Sequence, residues 1–127
     1  MDEPANPLDA YKAIIDQLVV ETRLSGPGPQ VANSGVFSNA AAHHEYNVLI
    51  HSLSNEQRAI LSRMLEDARD DTIHDVLATL SWWIVARDVG LTFRGAAMPV
   101  DLSGMGLHGD YVGRRDGWDW PRDDGPQ

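Results

Sequence analysis

The chain has no cysteine among its 127 residues. That absence excludes disulfides, thiolate catalysis, cysteine zinc sites and iron–sulfur clusters. No window approaches the roughly 20 apolar residues that a membrane-spanning helix needs. The first seven residues also lack the positively charged and apolar regions of a secretory signal. We therefore expect a cytoplasmic protein with no membrane partner.

Basic residues are scarce as well: ten Lys and Arg stand against 19 Asp and Glu, which gives a net charge of −9. A field of this sign repels phosphate backbones, so nucleic acid is not an expected partner. A basic protein is a possible partner, although most proteins use such a charge only for solubility. The length and the 43% hydrophobic content predict a single globular domain over residues 1–127.

The spacing of apolar residues predicts a mainly α fold, a compact bundle of three to four helices. Residues 25–35 are rich in Gly and Pro and are predicted to form an exposed loop. After Gly90 the helical periodicity ends, so residues 90–127 are predicted to be an irregular segment, rich in Gly and Trp, wrapped on the bundle. The predicted helices span about residues 8–24, 39–53, 55–69 and 72–89.

The boundary between the last two helices rests on a length argument. Residues 55–89 contain no Gly or Pro, and an unbroken helix of that length would extend about 52 Å. Such a length is large for a domain of this size, so a break is predicted near residues 70–72, where Asp or Thr could cap a new helix. The helix after the break is apolar on both sides and is predicted to be the most buried, with Trp83 in the core.

Two further features concern the second predicted helix and the start of the third. Tyr46, Leu49 and Ile50 lie on one stripe, which predicts that this face of the second helix packs on the core. Ser54 and Gln57 have the spacing of a capping box and predict a helix start at that point.

Residues 106–121 combine four glycines with Tyr111, Trp118 and Trp120. Glycine permits backbone conformations that other residues avoid, whereas large aromatic faces favour burial. We predict an ordered irregular loop packed beside the last helix, which would bring His108 or Asp110 near His74. Trp, Tyr and Arg carry binding energy at interfaces, so the candidate binding residues are Tyr111, Arg114, Trp118 and Trp120.

The same loop has a purely structural interpretation. Asp110 would pair with Arg114, His108 would bond to backbone, and the aromatic rings would seal the bundle. The catalytic interpretation takes His74, His108 and Asp110 as candidates, because a histidine beside a carboxylate can act as a general acid or base. No nucleophile motif such as Gly-x-Ser-x-Gly accompanies them.

Histidines at carboxylate spacing raise the question of a metal site. His74 follows Asp70 by four residues and Asp71 by three, so either pair could chelate. Helical-bundle metal sites repeat such a pair on another helix, and this sequence has no second copy, so no metal or other cofactor is expected. The structural alternative is that the acids begin a helix while His74 bonds a nearby carboxylate. His44 and His51 lie opposite the apolar stripe of their helix and are predicted to face water.

Several segments resemble a family of small uncharacterised bacterial proteins, over about residues 46–121. They are Leu-Ser-Asn-Glu-Gln-Arg at 53–58, Ile-His-Asp-Val-Leu-Ala at 73–78, Gly-Leu-His-Gly-Asp-Tyr-Val-Gly-Arg at 106–114, and Trp118 to Pro121. The resemblance implies a bacterial cytoplasmic domain and transfers no catalytic residue.

Two hypotheses of function follow from these observations. The first is a small acidic, non-enzymatic protein-binding protein of immunity or regulatory type, whose partner is a basic protein or a second copy of the chain. The alternative is a small metal-dependent hydrolase or lyase that uses His74, Asp70 or Asp71, and His108.

Overall fold

The computed structural model describes residues 3–24 and 26–122, without the side chains of residues 22 and 23. The described residues are mainly helical, which confirms the predicted fold class. None of the described helices has the combination of length and apolar character needed to cross a bilayer. The elements are α1 (Pro7–Leu24), α2 (Pro27–Ser34), a 3₁₀ turn (Ala41–His43), α3 (His44–Ser52), α4 (Asn55–Arg87), β1 (Thr92–Phe93), β2 (Ala96–Ala97) and α5 (Gly106–Arg115).

The chain divides into two compact units. The first unit holds the described residues up to 19 and those from 73 onward, and the second holds those between. Both α1 and α4 contribute residues to each unit.

The core of the first unit is a helical bundle built from α1, the C-terminal part of α4, and α5. The α1 side chains of this core recur every fourth residue, as expected for one face of a helix. Met98, Val100 and Leu102 pack against the same core from the segment before α5. Six buried side chains form the centre: Tyr11, Ile15, Val19, Leu77, Leu107 and Tyr111.

The predicted loop at residues 25–35 is largely helical, so that prediction was wrong. Pro27 occupies the first turn of α2, where its missing N–H costs nothing, and Gly35 ends the helix in a left-handed conformation with φ 69°. Gly28 and Val31 are buried in the second unit, and the Ser62 hydroxyl donates to the Gly28 carbonyl at 2.7 Å. The Gly and Pro residues lie at the two ends of this short helix, and their number gave the segment the composition of a loop.

The break predicted at residues 70–72 is absent, since α4 is continuous from Asn55 to Arg87. The Thr72 hydroxyl donates to the Ala68 carbonyl at 2.8 Å within the helix instead of capping a new one. The start of α4 was predicted correctly: the Gln57 N–H donates to Ser54 Oγ at 3.1 Å, and the Ser54 N–H donates to Gln57 Oε1 at 2.9 Å.

Two predictions of burial were wrong. Trp83 is about half exposed, because the C-terminal part of α4 buries only one face, at Leu77 and Ser81. On α3 only Ile50 is buried, whereas Tyr46 and Leu49 are exposed. An apolar stripe shows which face prefers burial, but the neighbouring elements decide whether that face is covered.

The C-terminal segment is more regular than predicted. Thr92–Phe93 and Ala96–Ala97 pair as an antiparallel hairpin, and its two turn residues, Arg94 and Gly95, have positive φ. Residues 106–115, predicted to be irregular, form α5. A Cβ on Gly113 would lie 3.1 Å from Cε3 of Trp118. Glycine has a low helix propensity, but at this position it allows the Trp118 side chain to pack closely on α5.

Candidate functional site

A cleft of about 520 Å³ opens beside α5 in the first unit. Its apolar lining comes from Met105, Val112 and Trp118. Gly109 and Gly113, four residues apart on α5, also line the cleft and add no side-chain volume to it. The polar side chains of the lining are His74, Ser103 and His108.

The rings of His74 and His108 meet in this cleft. Their centroids lie 5.1 Å apart, with an interplanar angle of 86°. The prediction that the C-terminal segment brings His108 near His74 is therefore confirmed. His74 Nδ1 lies 3.3 Å from Asp75 Oδ1, which is the carboxylate contact predicted for it. His108 Nδ1 is buried without a hydrogen-bond partner, so the predicted bond of this ring to backbone is wrong.

Asp110 is not part of the cleft lining but is fully buried in the first unit. Its carboxylate accepts hydrogen bonds from the Tyr11 hydroxyl, from the Leu102 N–H at 2.8 Å and from the Ser103 N–H at 2.7 Å. The predicted pair of Asp110 with Arg114 is therefore wrong. Because the carboxylate fixes the backbone of Ser103, Asp110 positions one wall of the cleft.

The phenol of Tyr11 stays protonated beside this carboxylate. Burial, and then the hydrogen bond to Asp110, raise the pKa of Tyr11 far above its ordinary value. Tyr11 also accepts a hydrogen bond from the Asp101 N–H at 3.3 Å. Tyr11 and Asp110 thus form a buried polar pair that ties α1, α5 and the segment before α5 together.

Arg114 makes its contacts with α1 and with the chain after α5. Its guanidinium reaches both oxygens of Asp16, at 2.6 and 3.3 Å, and donates to the Trp118 carbonyl at 2.6 Å. Trp120 Nε1 donates to Asp16 at 3.0 Å, and Arg114 stands 5.1 Å from the centre of the Trp120 ring. Tyr111, another predicted binding residue, is fully buried in the core. Of the four predicted binding residues, Trp118 lines the cleft.

The remaining histidines and acids are dispersed. In the described part of the chain, no three His, Asp or Glu side chains are grouped to hold a metal ion. Asp70 and Asp71 belong to the second unit, and Asp71 is exposed. His44 and His51 are exposed, as predicted. The hydrolase or lyase hypothesis stays a prediction. Of the contacts that it requires, the described residues show the one between His74 and His108.

The chain matches a known protein family. The model of a family of unknown function, DUF6547, matches residues 4–122. The chain belongs to this family. The DUF6547 match confirms the resemblance seen at residues 46–121 and extends it to α1 and α2. No curated protein and no solved structure matches the chain. The chemistry of this family member is therefore argued from its own residues.

Several residues that build the site carried no signal in the sequence. Ser103 and Met105 precede the glycine-rich run and carried no motif. Tyr11 gave no signal of a polar role, because the partner of its hydroxyl lies 99 residues away. Asp16 had no signal at all, because its contacts with Arg114 and Trp120 exist only in the folded unit.

Proposed function

We propose that this protein is a small non-enzymatic binding protein of immunity or regulatory type. Its partner is a basic protein, which it recognises through one face of α4. The observation that carries the proposal is the exposure of Val76, Leu80 and Trp83, at 55%, 37% and 46%. Their spacing of four and three residues places them on one side of the helix. Apolar side chains grouped on a surface are typical of protein interaction sites, and Trp is enriched among residues that dominate binding energy.

Charge supports a basic partner. Asp75 directly precedes this face, and its side chain is 82% exposed. Asp88 follows the last turn of α4 and is also exposed. With a net charge of −9, the chain attracts a cationic surface and repels an anionic one, and this attraction weakens beyond about 8 Å at physiological salt. Bacterial origin and a cytoplasmic location belong to the same proposal.

Trp83 is the expected anchor of the interaction. The neighbouring Trp82 is also half exposed, but the guanidinium of Arg87 stands 5.5 Å from the centre of its ring. Trp83 lies on the stripe of Val76 and Leu80, so a partner can bury all three side chains together. Buried aromatic anchors within a charged rim are the usual anatomy of such an interface.

A capture experiment tests the proposal. The purified protein is immobilised and exposed to an extract of the encoding organism at about 50 mM and about 300 mM salt, where screening differs strongly. We expect a basic protein to be retained, less so at high salt. Trp83→Ser should reduce its capture by about tenfold or more, as expected for an interface anchor. Val85→Ser is the matched control, because Val85 is an exposed apolar residue on the opposite side of α4.

Three results would contradict the proposal. One is retention of the same proteins by Trp83→Ser and by the wild type. Another is a retained partner that is acidic. The third is a stable dimer of the purified protein in sedimentation equilibrium that Trp83→Ser dissociates, because this result would assign the face to a second copy of the chain.

A further inference from the structure

We infer that the cleft beside α5 is a binding site for a small aromatic carboxylate, held by apolar contact with Trp118 and by hydrogen bonds from His108 and Ser103. The inference goes beyond the proposed protein partner, since Val76, Leu80 and Trp83 do not line the cleft. The two sites can therefore be tested separately.

The size and the lining of the cleft suit an aromatic ring. Its volume of about 520 Å³ lies within the range typical of small-molecule sites, roughly 300 to 1,000 Å³. Trp118 offers an aromatic ring, and aromatic pairs prefer offset-stacked or edge-to-face contact. Val112 and Met105 add apolar surface, and thioethers pack well against rings. Gly109 and Gly113 let two other lining residues approach the backbone of α5: a Cβ would lie 2.5 Å from Cβ of Met105 at Gly109 and 3.1 Å from Cε3 of Trp118 at Gly113.

His108 is the first donor for a carboxylate. Because its Nδ1 is buried without a partner, Nε2 is the ring nitrogen that can meet a ligand. An orphaned buried N–H is rarer in proteins than an orphaned acceptor, so the neutral ring carries its hydrogen on Nε2. His108 then presents an N–H group to the cleft. A ligand oxygen can accept the hydrogen bond that this group donates.

Ser103 is the second donor. Its Oγ accepts a hydrogen bond from the Met105 N–H at 3.1 Å, which leaves its own hydroxyl hydrogen for a ligand. The Ser103 backbone is fixed by Asp110, so this donor is held in place before a ligand arrives. His74 Nδ1 is directed to Asp75, and this contact orients the second imidazole of the lining.

The charge of the lining favours an anion. Among the acidic residues within the described ranges 3–24 and 26–122, none lines this cleft. The ionisable side chains of the lining are His74 and His108, and histidine carries either no charge or a positive one. Hydrogen bonds to an ionised acceptor are stronger than those to a neutral one. A carboxylate on an aromatic ring therefore matches both parts of the lining.

Calorimetric titration with 2-naphthoate near neutral pH tests the inference. We expect one equivalent to bind, and the neutral analogue 2-naphthylmethanol to bind at least about tenfold more weakly. His108→Leu should weaken naphthoate binding by about tenfold or more. His108→Gln, whose amide nitrogen can replace Nε2–H, should retain binding within about threefold. His51→Leu, a change at an exposed histidine of α3, and Trp83→Ser should leave the affinity unchanged.

Several outcomes would overturn the inference. These are no saturable binding of naphthoate below roughly 5 mM, equal affinity for the neutral analogue, or full affinity in His108→Leu. A thermal melt of each variant in the absence of ligand establishes that it is folded. If His108→Leu does not fold, the comparison of the two probes on the wild-type protein decides the matter alone.

Discussion

Replacement of Asp110 by Asn should destabilise the protein strongly although it barely changes the shape of the side chain. The carboxylate is fully buried and accepts hydrogen bonds from Tyr11, Leu102 and Ser103. An amide has one oxygen where the carboxylate has two. If that oxygen keeps Tyr11 and Leu102, the NH₂ group faces the Ser103 N–H, and two donors meet. An unsatisfied buried donor costs about 1–3 kcal/mol, and loss of the charge weakens the remaining bonds, for a total of about 2–4 kcal/mol.

Thermal unfolding followed by circular dichroism measures this loss. For a chain of this length, the expected decrease in Tm is roughly 6–20 °C. Asp119→Asn is the matched control, because it removes the same charge from an exposed position and should change stability by less than about 0.5 kcal/mol. If Asp110→Asn melts within about 2 °C of the wild type, the reasoning that this carboxylate holds the segment before α5 is refuted.

Three further predictions concern other contacts. The folded state keeps the Tyr11 proton, whereas the unfolded state loses it as the pH rises through about 10. In urea titrations, the free energy of unfolding of the wild type relative to that of Tyr11→Phe should therefore fall by about 1.4 kcal/mol per pH unit above that pH. Arg114→Lys loses the two-point contact with the partly exposed Asp16, and the melt should report a cost of about 1 kcal/mol. Gly28→Ala should cost about 1–3 kcal/mol of stability, because its Cβ would lie 2.8 Å from a carbonyl oxygen of α4. By contrast, a Cβ at Gly90 would have none of the described atoms within 4 Å, so Gly90→Ala should be neutral or stabilise the protein by up to about 1 kcal/mol. Equal melts for these two glycine variants would show that α2 does not pack as closely on α4 as described.

Local signals predicted part of the fold. The spacing of apolar residues predicted a helix over about residues 8–24, and α1 spans Pro7–Leu24. The reciprocal bonds of Ser54 and Gln57 were predicted because a capping box joins residues only three positions apart. The sequence did not predict α2 or α5, since their Pro and Gly residues lower helix propensity and only packing compensates for it.

The candidate site was predicted in a similar, partial way. The aromatic residues after α5 implied a packed segment, and from this packing the approach of His108 to His74 was predicted and confirmed. The role of Asp110 was not predicted, because its donors come from α1 and from backbone amides seven and eight residues earlier in the chain. The local pattern suggested that Arg114 pairs with Asp110, four residues before it. In the structure Arg114 binds Asp16 of α1 instead, and no local signal indicated that contact.

By itself, the sequence determined the helical class, the helix faces that favour burial, and the acidic charge of the chain, because these depend on composition and on neighbours a few positions apart. The tertiary structure alone decided which apolar faces stay exposed, as at Trp83, and which polar groups meet, as at Tyr11 with Asp110 and at His74 with His108. The preference of a side chain for burial or for a polar partner can be read from its own type and its near neighbours in the sequence. Its partner is set by elements that lie far away in the sequence and close together in space.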